Sequence, residues 1–365
     1  MKTFKHLYET AKDLGTRKRA VHKVCIGRHK MRGLERYKAD EDDTAEKALG
    51  WIENYHNSKH HPVIIHDGIS RKQRKIIVPT FEELTVQHCA VMAMMPLFMQ
   101  GMYEHSYASI PGRGAHKGKK VIEGWITHDP KNCKYVLKMD IRHFFDSVPH
   151  DKLKAKLERK IKDPKMLALI FEIIDVTEVG LPLGFYTSQW LSNWYLQDLD
   201  HYIKEQLGAA HYIRYMDDMV IFGSNKRKLH QIRAAIEKYL NEELGLEMKG
   251  NWQVYRFDYT KKGKHYGRDL DFMGFRFFRD RTILRKSIMY KATRKAKRIG
   301  RKQKPTIYDI RQMMSYIGWI DCTDTYRMYE ERIKPFVNFQ KCKRRMSAYD
   351  RRRNKQTVEK EEKAA

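Results

Sequence analysis

The chain has 365 residues, which is enough for two or three domains or for one large enzyme with several lobes. Lys and Arg number 73 against 45 Asp and Glu, and the net charge of +28 suits a polyanionic partner, either nucleic acid or an anionic membrane surface. No apolar run approaches the roughly 20 residues that span a bilayer, and the first residues are too polar for a signal peptide, so we expect a cytoplasmic protein without a membrane partner. The five cysteines form no C-x-x-C pair, which favours reduced, buried thiols over a zinc or redox site.

Residues 1–60 have a basic, helical pattern, with dense positive charge at Thr16–Arg19 and Arg28–Arg32. The run from Thr44 to Asn54 has the apolar spacing of an amphipathic helix. This N-terminal extension either contacts nucleic acid or is a solvated helical face, and the sequence leaves both interpretations open.

A β-hairpin is predicted over residues 62–79, because two short β-branched runs flank a basic tip. A long apolar helix follows from Phe81 to about Tyr103, and its methionines indicate packing rather than a cofactor site. Ser109–Gly118 is a glycine-rich basic loop, with a helix expected to begin near Lys119. Its glycines would let backbone N–H groups approach phosphates, although a tight surface turn explains the same pattern.

Aspartate residues lie at the ends of predicted strands that are far apart in the chain. The run from Lys134 to Asp140 is a strand pattern closed by an aspartate, and Asp217-Asp218 lies at the tip of a predicted hairpin. Buried like charges raise each other's pKa, and a divalent cation removes that conflict. Three carboxylates at one sheet edge can hold two Mg²⁺ ions about 4 Å apart, the arrangement used for in-line phosphoryl transfer. Without the upstream aspartate, an acidic hairpin turn would explain the pair as well as a metal site does.

Three motifs in this order resemble the palm of a reverse transcriptase. They are Asp140 with the rings Phe144-Phe145, then Gly180–Gln189, then Tyr215-Met-Asp-Asp218. The resemblance extends over about residues 60–320, and such an ordered set is far more specific than any single motif.

The middle motif separates this chain from retroviral and group II intron enzymes, which carry Gln-Gly before Ser-Pro. Here the segment is Leu183-Gly184-x-x-x-Ser188-Gln189, which resembles the diversity-generating retroelement enzymes. The run Leu284-Arg-Lys-Ser287 and the compact size point the same way. Retron, group II intron and anti-phage defence reverse transcriptases are related to that group.

The resemblance implies an α+β chain with the right-hand polymerase fold, in which fingers, a palm of antiparallel sheet packed on helices, and a helical thumb follow one another. We expect a basic helical N-terminal extension at residues 1–60 and fingers at 61–133. A palm with part of the fingers follows at 134–280, a helical thumb at 281–342 and a charged flexible tail at 343–365.

The resemblance also implies functional residues. Asp140, Asp217, Asp218 and the backbone carbonyl of Ile141 are expected to hold two Mg²⁺ ions, for which Mn²⁺ can substitute. Residues expected to bind dNTP are Lys72, Arg74, Phe145, Gly184, Gln189, Tyr215 and Lys249, with Arg71 and Lys75 replacing the first two if the hairpin register differs. Residues expected to contact nucleic acid are Arg113, His116, Lys117, Met273, Gly274, Arg285, Lys286, Arg294 and Lys295.

The function implied is RNA-directed DNA polymerisation, making cDNA from a dedicated template RNA by two-metal nucleotidyl transfer in a diversity-generating retroelement. The partners are template RNA, the RNA/DNA duplex and dNTPs, with either a small basic accessory protein or a structured non-coding RNA, and the oligomeric state stays open. The alternatives are an anti-phage defence enzyme acting with a non-coding RNA and a catalytically idle RNA-binding scaffold.

Overall fold

The structure, a computed structural model, describes residues 3–26, 33–67 and 72–364. Contacts divide the chain into two units. The first unit comprises residues 1–114 and 135–254, and the second comprises residues 115–134 and 255–365. The predicted domain ranges do not coincide with these units and stay a prediction.

The helices lie, in chain order, at α1 (Leu7–Lys12), α2 (Leu14–Cys25), α3 (Leu34–Ala39), α4 (Glu41–Glu53), α5 (Phe81–Met99), α6 (Ala115–His128), α7 (Phe144–Ser147), α8 (His150–Lys160), α9 (Pro164–Ile174), α10 (Tyr186–Tyr195), α11 (Gln197–His201), α12 (Lys226–Tyr239), α13 (Lys286–Gly300), α14 (Ile307–Ile320), α15 (Tyr326–Arg332) and α16 (Phe339–Ala364). π-Helical turns continue α11 and α12 over Tyr202–Gln206 and Leu240–Leu244.

The strands lie at β1 (Val63–Asp67), β2 (Lys72–Ile76), β3 (Tyr135–Asp140), β4 (His211–Tyr215), β5 (Asp218–Gly223), β6 (Gln253–Arg256), β7 (Tyr259–Lys261), β8 (Lys264–Tyr266), β9 (Leu270–Phe272), β10 (Phe275–Phe277) and β11 (Thr282–Leu284).

The first unit is built on a sheet with the strand order β4-β5-β3-β6, and the division between the units falls within β6. β5 pairs antiparallel with both β4 and β3, and its run Met219–Phe222 is buried throughout. A continuous apolar run of this kind, here Met-Val-Ile-Phe, suits a strand that is buried on both faces. Helix α12 packs on β3 and β5, and Asn225 caps its first turn by accepting from two backbone N–H groups.

Helix α5 is the centre of the helical part of this unit. It is apolar on nearly all sides, which fits its contacts with α1, α2, α4 and α10. Thr80 and Glu83 form a reciprocal capping box at its first turn. Many cations of the N-terminal extension pair with acids of the same extension, as Lys12 does with Glu53 and Lys18 with Asp42. These pairs fit a solvated helical face, but the basic run Arg28–Arg32 lies outside the described residues, and both interpretations stay open.

The second unit has a three-stranded sheet in the order β11-β10-β9, a separate hairpin of β7 and β8, and helices α6 and α13–α16. Its buried side chains include Phe257, Phe272, Phe275, Phe277 and Met313. Both units combine helices with sheets whose strands pair antiparallel, so the predicted α+β class is confirmed.

Two predicted segments differ from the structure. The helix expected near Lys119 begins at Ala115, so His116 and Lys117 lie in its first turn rather than in a loop. The predicted flexible tail from residue 343 is helical, because α16 continues to Ala364. No helix among the described residues is both long and apolar enough to cross a bilayer.

Candidate active site

Two of the three candidate carboxylates are direct partners on adjacent strands. β3 and β5 are antiparallel, and their register pairs Asp140 with Asp218. The same register on the other side pairs Tyr215 with Asp218, so only Met216 and Asp217 form the turn between β4 and β5. The fold thus brings Asp140 to the hairpin tip from about 80 residues away along the chain.

Met216 has a positive φ of 59°, which a two-residue hairpin turn requires at its first position. Several contacts hold this residue in place. Ser192 Oγ lies 3.3 Å from Met216 Sδ, and Arg214 Nη1 donates to the Met216 carbonyl oxygen at 3.1 Å. The neighbouring Asp217 therefore lies in a turn whose backbone is held in place by contacts with Ser192 and Arg214.

The Asp140 carboxylate lies close enough to Asp217 to influence its ionisation. Burial and the neighbouring Asp140 carboxylate raise the pKa of Asp217 to about 6, while Arg74 acts in the opposite direction. Two lysines approach the other carboxylates. Lys249 Nζ lies 3.3 Å from Asp140 Oδ2, and Lys138 Nζ lies 3.7 Å from Asp218 Oδ2.

Of these groups, Arg74, Asp140, Asp217 and Lys249 line a cavity of about 580 Å³ in the first unit, whereas Asp218 and Lys138 are not among its lining residues. Acid, base and ring side chains meet there, which suits a charged ligand with an apolar part. The lining residues are Gln73, Arg74, Lys75, Asp140, Ile141, Arg142, His143, Phe144, Phe145, Asp146, Leu183, Asp217 and Lys249.

Of the residues predicted to bind dNTP, the cavity lining includes Arg74, Phe145 and Lys249. Phe145 is partly buried beside Phe144, with ring centroids 5.5 Å apart. Of Lys72 the structure describes only the backbone, in β2, and Arg71 lies outside the described residues. Lys75, the alternative cation, also lines the cavity.

Gly184, Gln189 and Tyr215 are not among the described lining residues. Gly184 follows Leu183, whose carbonyl accepts from Ile77 N at 2.8 Å, so this loop is joined to the chain just after β2. Gln189 is exposed on α10. Thr187 and Ser188 lie buried within the first turn of that helix.

The donor types fit a divalent cation. Asp140 Oδ1 is buried and accepts no hydrogen bond from the described residues, and Asp217 is close enough to Asp140 for the two charges to conflict. Ile141 follows Asp140 in the sequence, and its backbone forms an isolated antiparallel bridge with Met248. Within the described ranges, no group of three or more His, Cys, Asp and Glu side chains is gathered closely enough to hold a metal ion.

The predicted nucleic-acid residues need one clear correction, at Lys295. Its ammonium is buried and lies 2.8 Å from Asp309 Oδ1, so it joins α13 to α14 instead of facing solvent. Arg113 is also directed inward, since Nη1 donates to the carbonyls of Tyr103 and Ser106. Arg285 is paired with Asp271.

The remaining predicted contacts divide between surface and core. Lys117, Lys286 and Arg294 are exposed cations. His116 is exposed but packs 4.8 Å from the ring of Trp319. Met273 is buried, and it and Gly274 both have positive φ at the turn between β9 and β10.

Sequence analysis did not identify Arg214 and Asp200. Arg214 contacts the turn between β4 and β5 at the Met216 carbonyl, and Asp200 is the ion-pair partner of Arg214. Both side chains are fully buried, and Arg214 lies in β4, between apolar neighbours. A lone cation in an otherwise apolar strand was the available signal, because a buried charge needs a partner. Nothing in the sequence indicates that the partner is Asp200.

Comparison with known proteins identifies the family. Residues 58–253, more than half of the chain, match the family model described as reverse transcriptase (RNA-dependent DNA polymerase). Protein YkfC of Escherichia coli (strain K12) is 26% identical over 146 residues, which cover 37% of this chain and 38% of that protein. The retron Ec73 reverse transcriptase of Escherichia coli is 25% identical over 168 residues, covering 42% and 51%. The chain thus spans about half or less of the length of these relatives.

Among solved structures, apo telomerase from Candida Tropicalis is similar, with a TM-score of 0.50 and 11% sequence identity, covering 75% of this chain and 56% of that chain. This likeness bears on the fold alone and agrees with the predicted right-hand polymerase fold. The family match over residues 58–253 spans all three carboxylates and the cavity around them. This chain is therefore a member of the reverse transcriptase (RNA-dependent DNA polymerase) family.

Proposed function

We propose that this protein is an RNA-directed DNA polymerase that copies a template RNA into cDNA by adding dNTPs to a primer 3′-hydroxyl. One observation carries the proposal. Asp140 is paired with Asp218 across two strands and interacts with Asp217, beside a cavity that is also lined by Arg74 and Lys249. Family membership supports the same reaction.

In this proposal Asp140, Asp217 and Asp218, with the Ile141 carbonyl, hold two Mg²⁺ ions, and Mn²⁺ can replace them. When bound, such ions lower the pKa of the attacking hydroxyl and neutralise charge on the leaving pyrophosphate. The buried Asp140 Oδ1, which lacks a hydrogen bond among the described residues, supports a cation at this point.

The chain's own cations and rings then bind and orient the nucleotide. Arg74 presents a planar guanidinium that can bind phosphate oxygens in bidentate fashion, and Lys72 or Lys75 adds a point charge. Lys249, whose ammonium lies 3.3 Å from Asp140 Oδ2, would transfer its contact to the pyrophosphate. Phe145 would lie beneath the sugar and exclude a 2′-hydroxyl by its bulk.

The test is primer extension with a primed RNA template, dNTPs and Mg²⁺. Asp217→Asn should abolish incorporation while leaving RNA binding intact, since it removes one carboxylate charge without changing shape. Asp42→Asn is the matched control, because that aspartate is exposed in α4 and pairs with Lys18. Equal incorporation by wild type and Asp217→Asn would end the polymerase proposal and leave an RNA-binding scaffold.

For the biological setting we propose a diversity-generating retroelement in the cytoplasm, with a dedicated template RNA and a small basic accessory protein. The segment Leu183-Gly184-x-x-x-Ser188-Gln189 supports this choice. The resemblance to anti-phage defence reverse transcriptases supports the second candidate, defence with a structured non-coding RNA. Sequencing cDNA made in cells separates them, because changes scattered at template adenines fit diversification, whereas one fixed non-coding template fits defence.

A further inference from the structure

The hairpin of β7 and β8 is a positively charged surface that the candidate site does not use. The segment Tyr259–Arg268 reads Tyr-Thr-Lys-Lys-Gly-Lys-His-Tyr-Gly-Arg and contains no acid. Every residue from Thr260 to Arg268 is exposed. Among the described residues, no acidic side chain lies within ion-pair distance of Lys261, Lys262 or Lys264. The positive charge at this tip is therefore available to an external partner.

The backbone holds this tip in one shape. Lys261 pairs with Lys264, which leaves Lys262 and Gly263 as the two turn residues. Both have positive φ, 50° and 72°, as a type I′ turn requires. This turn matches the twist of the flanking strands, so the three lysines project from a formed hairpin rather than from a loose loop.

The base of the hairpin is fixed to the second unit. Asp258 N and Arg268 N donate to the carbonyls of Arg268 and Arg256 at 3.1 and 3.0 Å. The Arg268 guanidinium lies 3.9 Å from the centre of the Tyr255 ring. Asp258 itself is buried and accepts from Arg279 N, so its carboxylate is largely occupied inside the protein, although His265 approaches it at 3.8 Å.

Aromatic rings accompany the charge. Tyr259 and Tyr266 stack with centroids 5.6 Å apart, and Tyr266 remains 45% exposed. Lysines beside an exposed ring are suited to a single strand, in which phosphates meet the cations and an unpaired base stacks on the ring. A membrane surface fits less well, because interfacial segments bury Leu, Phe or Trp and this tip has no aliphatic residue.

We propose that the Tyr259–Arg268 hairpin is a binding surface for single-stranded RNA, with Lys261, Lys262 and Lys264 contacting phosphates and Tyr266 stacking on a base. The inference rests on the proposed function only in taking RNA as the polyanion. The contact is sequence-independent, since neither an ammonium group nor a ring face reads base edges.

The first test measures the binding of the full chain to fluorescent oligouridylate by anisotropy over a series of NaCl concentrations, without primer or dNTP. Combining Lys261→Gln, Lys262→Gln and Lys264→Gln should make the slope of log affinity against log salt less steep by about 2. Affinity at physiological salt should fall roughly tenfold. Because no nucleotide is incorporated, the result does not depend on whether the chain is a polymerase.

The matched control removes the same charge from exposed lysines that each have an acidic partner four residues away in the chain. Combining Lys47→Gln, Lys238→Gln and Lys334→Gln does so, since these lysines pair with Asp43, Glu242 and Glu330. A surface at the hairpin predicts a wild-type slope for this control. Equal slopes for the two triple variants would show that only net charge matters and would overturn the proposal.

The second test separates stacking from charge and RNA from membrane. Tyr266→Ala should weaken oligouridylate binding roughly tenfold, while Tyr266→Phe, which keeps the ring, should bind like wild type. Sedimentation with phosphatidylserine vesicles is the counter-test. Hairpin-dependent binding to vesicles, with unchanged RNA binding in the lysine variant, would refute an RNA surface.

Discussion

Arg214 and Asp200 form a buried ion pair behind the turn that carries Asp217. Arg214 Nε and Nη2 donate to the two carboxylate oxygens at 2.7 and 2.6 Å, and neither side chain is exposed. Tyr212 also donates to Asp200 through its hydroxyl, while Arg214 reaches the Met216 carbonyl. The pair thus links α11, β4 and the turn through directional bonds, which apolar packing could not supply.

The first prediction is that Asp200→Asn lowers the free energy of unfolding by about 3–5 kcal/mol, because it leaves the Arg214 charge buried without a counter-charge. Urea denaturation of the full chain measures this. The control is Asp42→Asn, at a 77% exposed side chain, which should change the free energy by less than about 1 kcal/mol. Similar losses for both variants would mean that the buried pair contributes little.

Gly184 has a φ of 112°, and a Cβ atom there would lie 2.1 Å from the Ile77 carbonyl oxygen. The second prediction is therefore that Gly184→Ala costs roughly 3 kcal/mol or more, since both the backbone strain and the clash oppose folding. Gly50→Ala is the control, because a Cβ on that helical glycine meets nothing within 4 Å and should stabilise by about 0.5–1 kcal/mol. Thermal denaturation of both variants measures these effects. A melting temperature that rises in Gly184→Ala as it does in Gly50→Ala would contradict the argument.

The sequence predicted that Asp140 and the Asp217-Asp218 hairpin meet at one sheet edge, because motif order and strand pattern contain that information. A strand that ends in Asp140 and a hairpin with Asp217 at its tip have few ways to share one sheet, and the observed register pairs Asp140 with Asp218. Residue types alone could not show which side chains of the β1–β2 hairpin are directed toward the carboxylates. Whether Arg74 or Lys75 approaches the carboxylates depends on a hairpin register that composition does not determine.

Lys295 shows why surface predictions are harder. It lies in a run of basic residues, and sequence alone suggests a cationic face along α13. Its orientation is set by Asp309, which is 14 residues away on α14 and lies 2.8 Å from its ammonium. A long-range partner of this kind leaves no periodic signal, as Asp200 left none for Arg214.

Asp309 provides the third prediction, because Lys295, Lys302 and Thr306 hold the pKa of its carboxyl well below the usual range. The carboxylate therefore contributes stability that is fully present above the unfolded pKa of about 3.9 and is lost as pH falls below it. Asp309→Asn should cost about 3–5 kcal/mol at pH 7, and the difference from wild type should narrow toward pH 3.

Urea unfolding at the two pH values measures the Asp309 effect. Asp280→Asn serves as the control, because that aspartate is 56% exposed and pairs only with its neighbour Arg281 among the described residues. It should show a small and nearly constant difference from wild type. A deficit for Asp309→Asn that is as large at pH 3 as at pH 7 would assign its effect to packing rather than to charge.

The fourth prediction concerns sugar selection by Phe145, which lines the cavity beside Asp140 and Asp217. If its ring excludes a 2′-hydroxyl, Phe145→Ala should raise the kcat/KM for ribonucleotides relative to deoxynucleotides by roughly 10–200-fold, the range that one pocket contact contributes to discrimination. Phe145→Tyr keeps the ring and should retain the wild-type ratio. Because the ratio compares two substrates of one variant, a general loss of activity through weaker packing on Phe144 cancels. If Phe145→Ala kept the wild-type ratio of ribonucleotide to deoxynucleotide kcat/KM, the discrimination would lie elsewhere in the cavity.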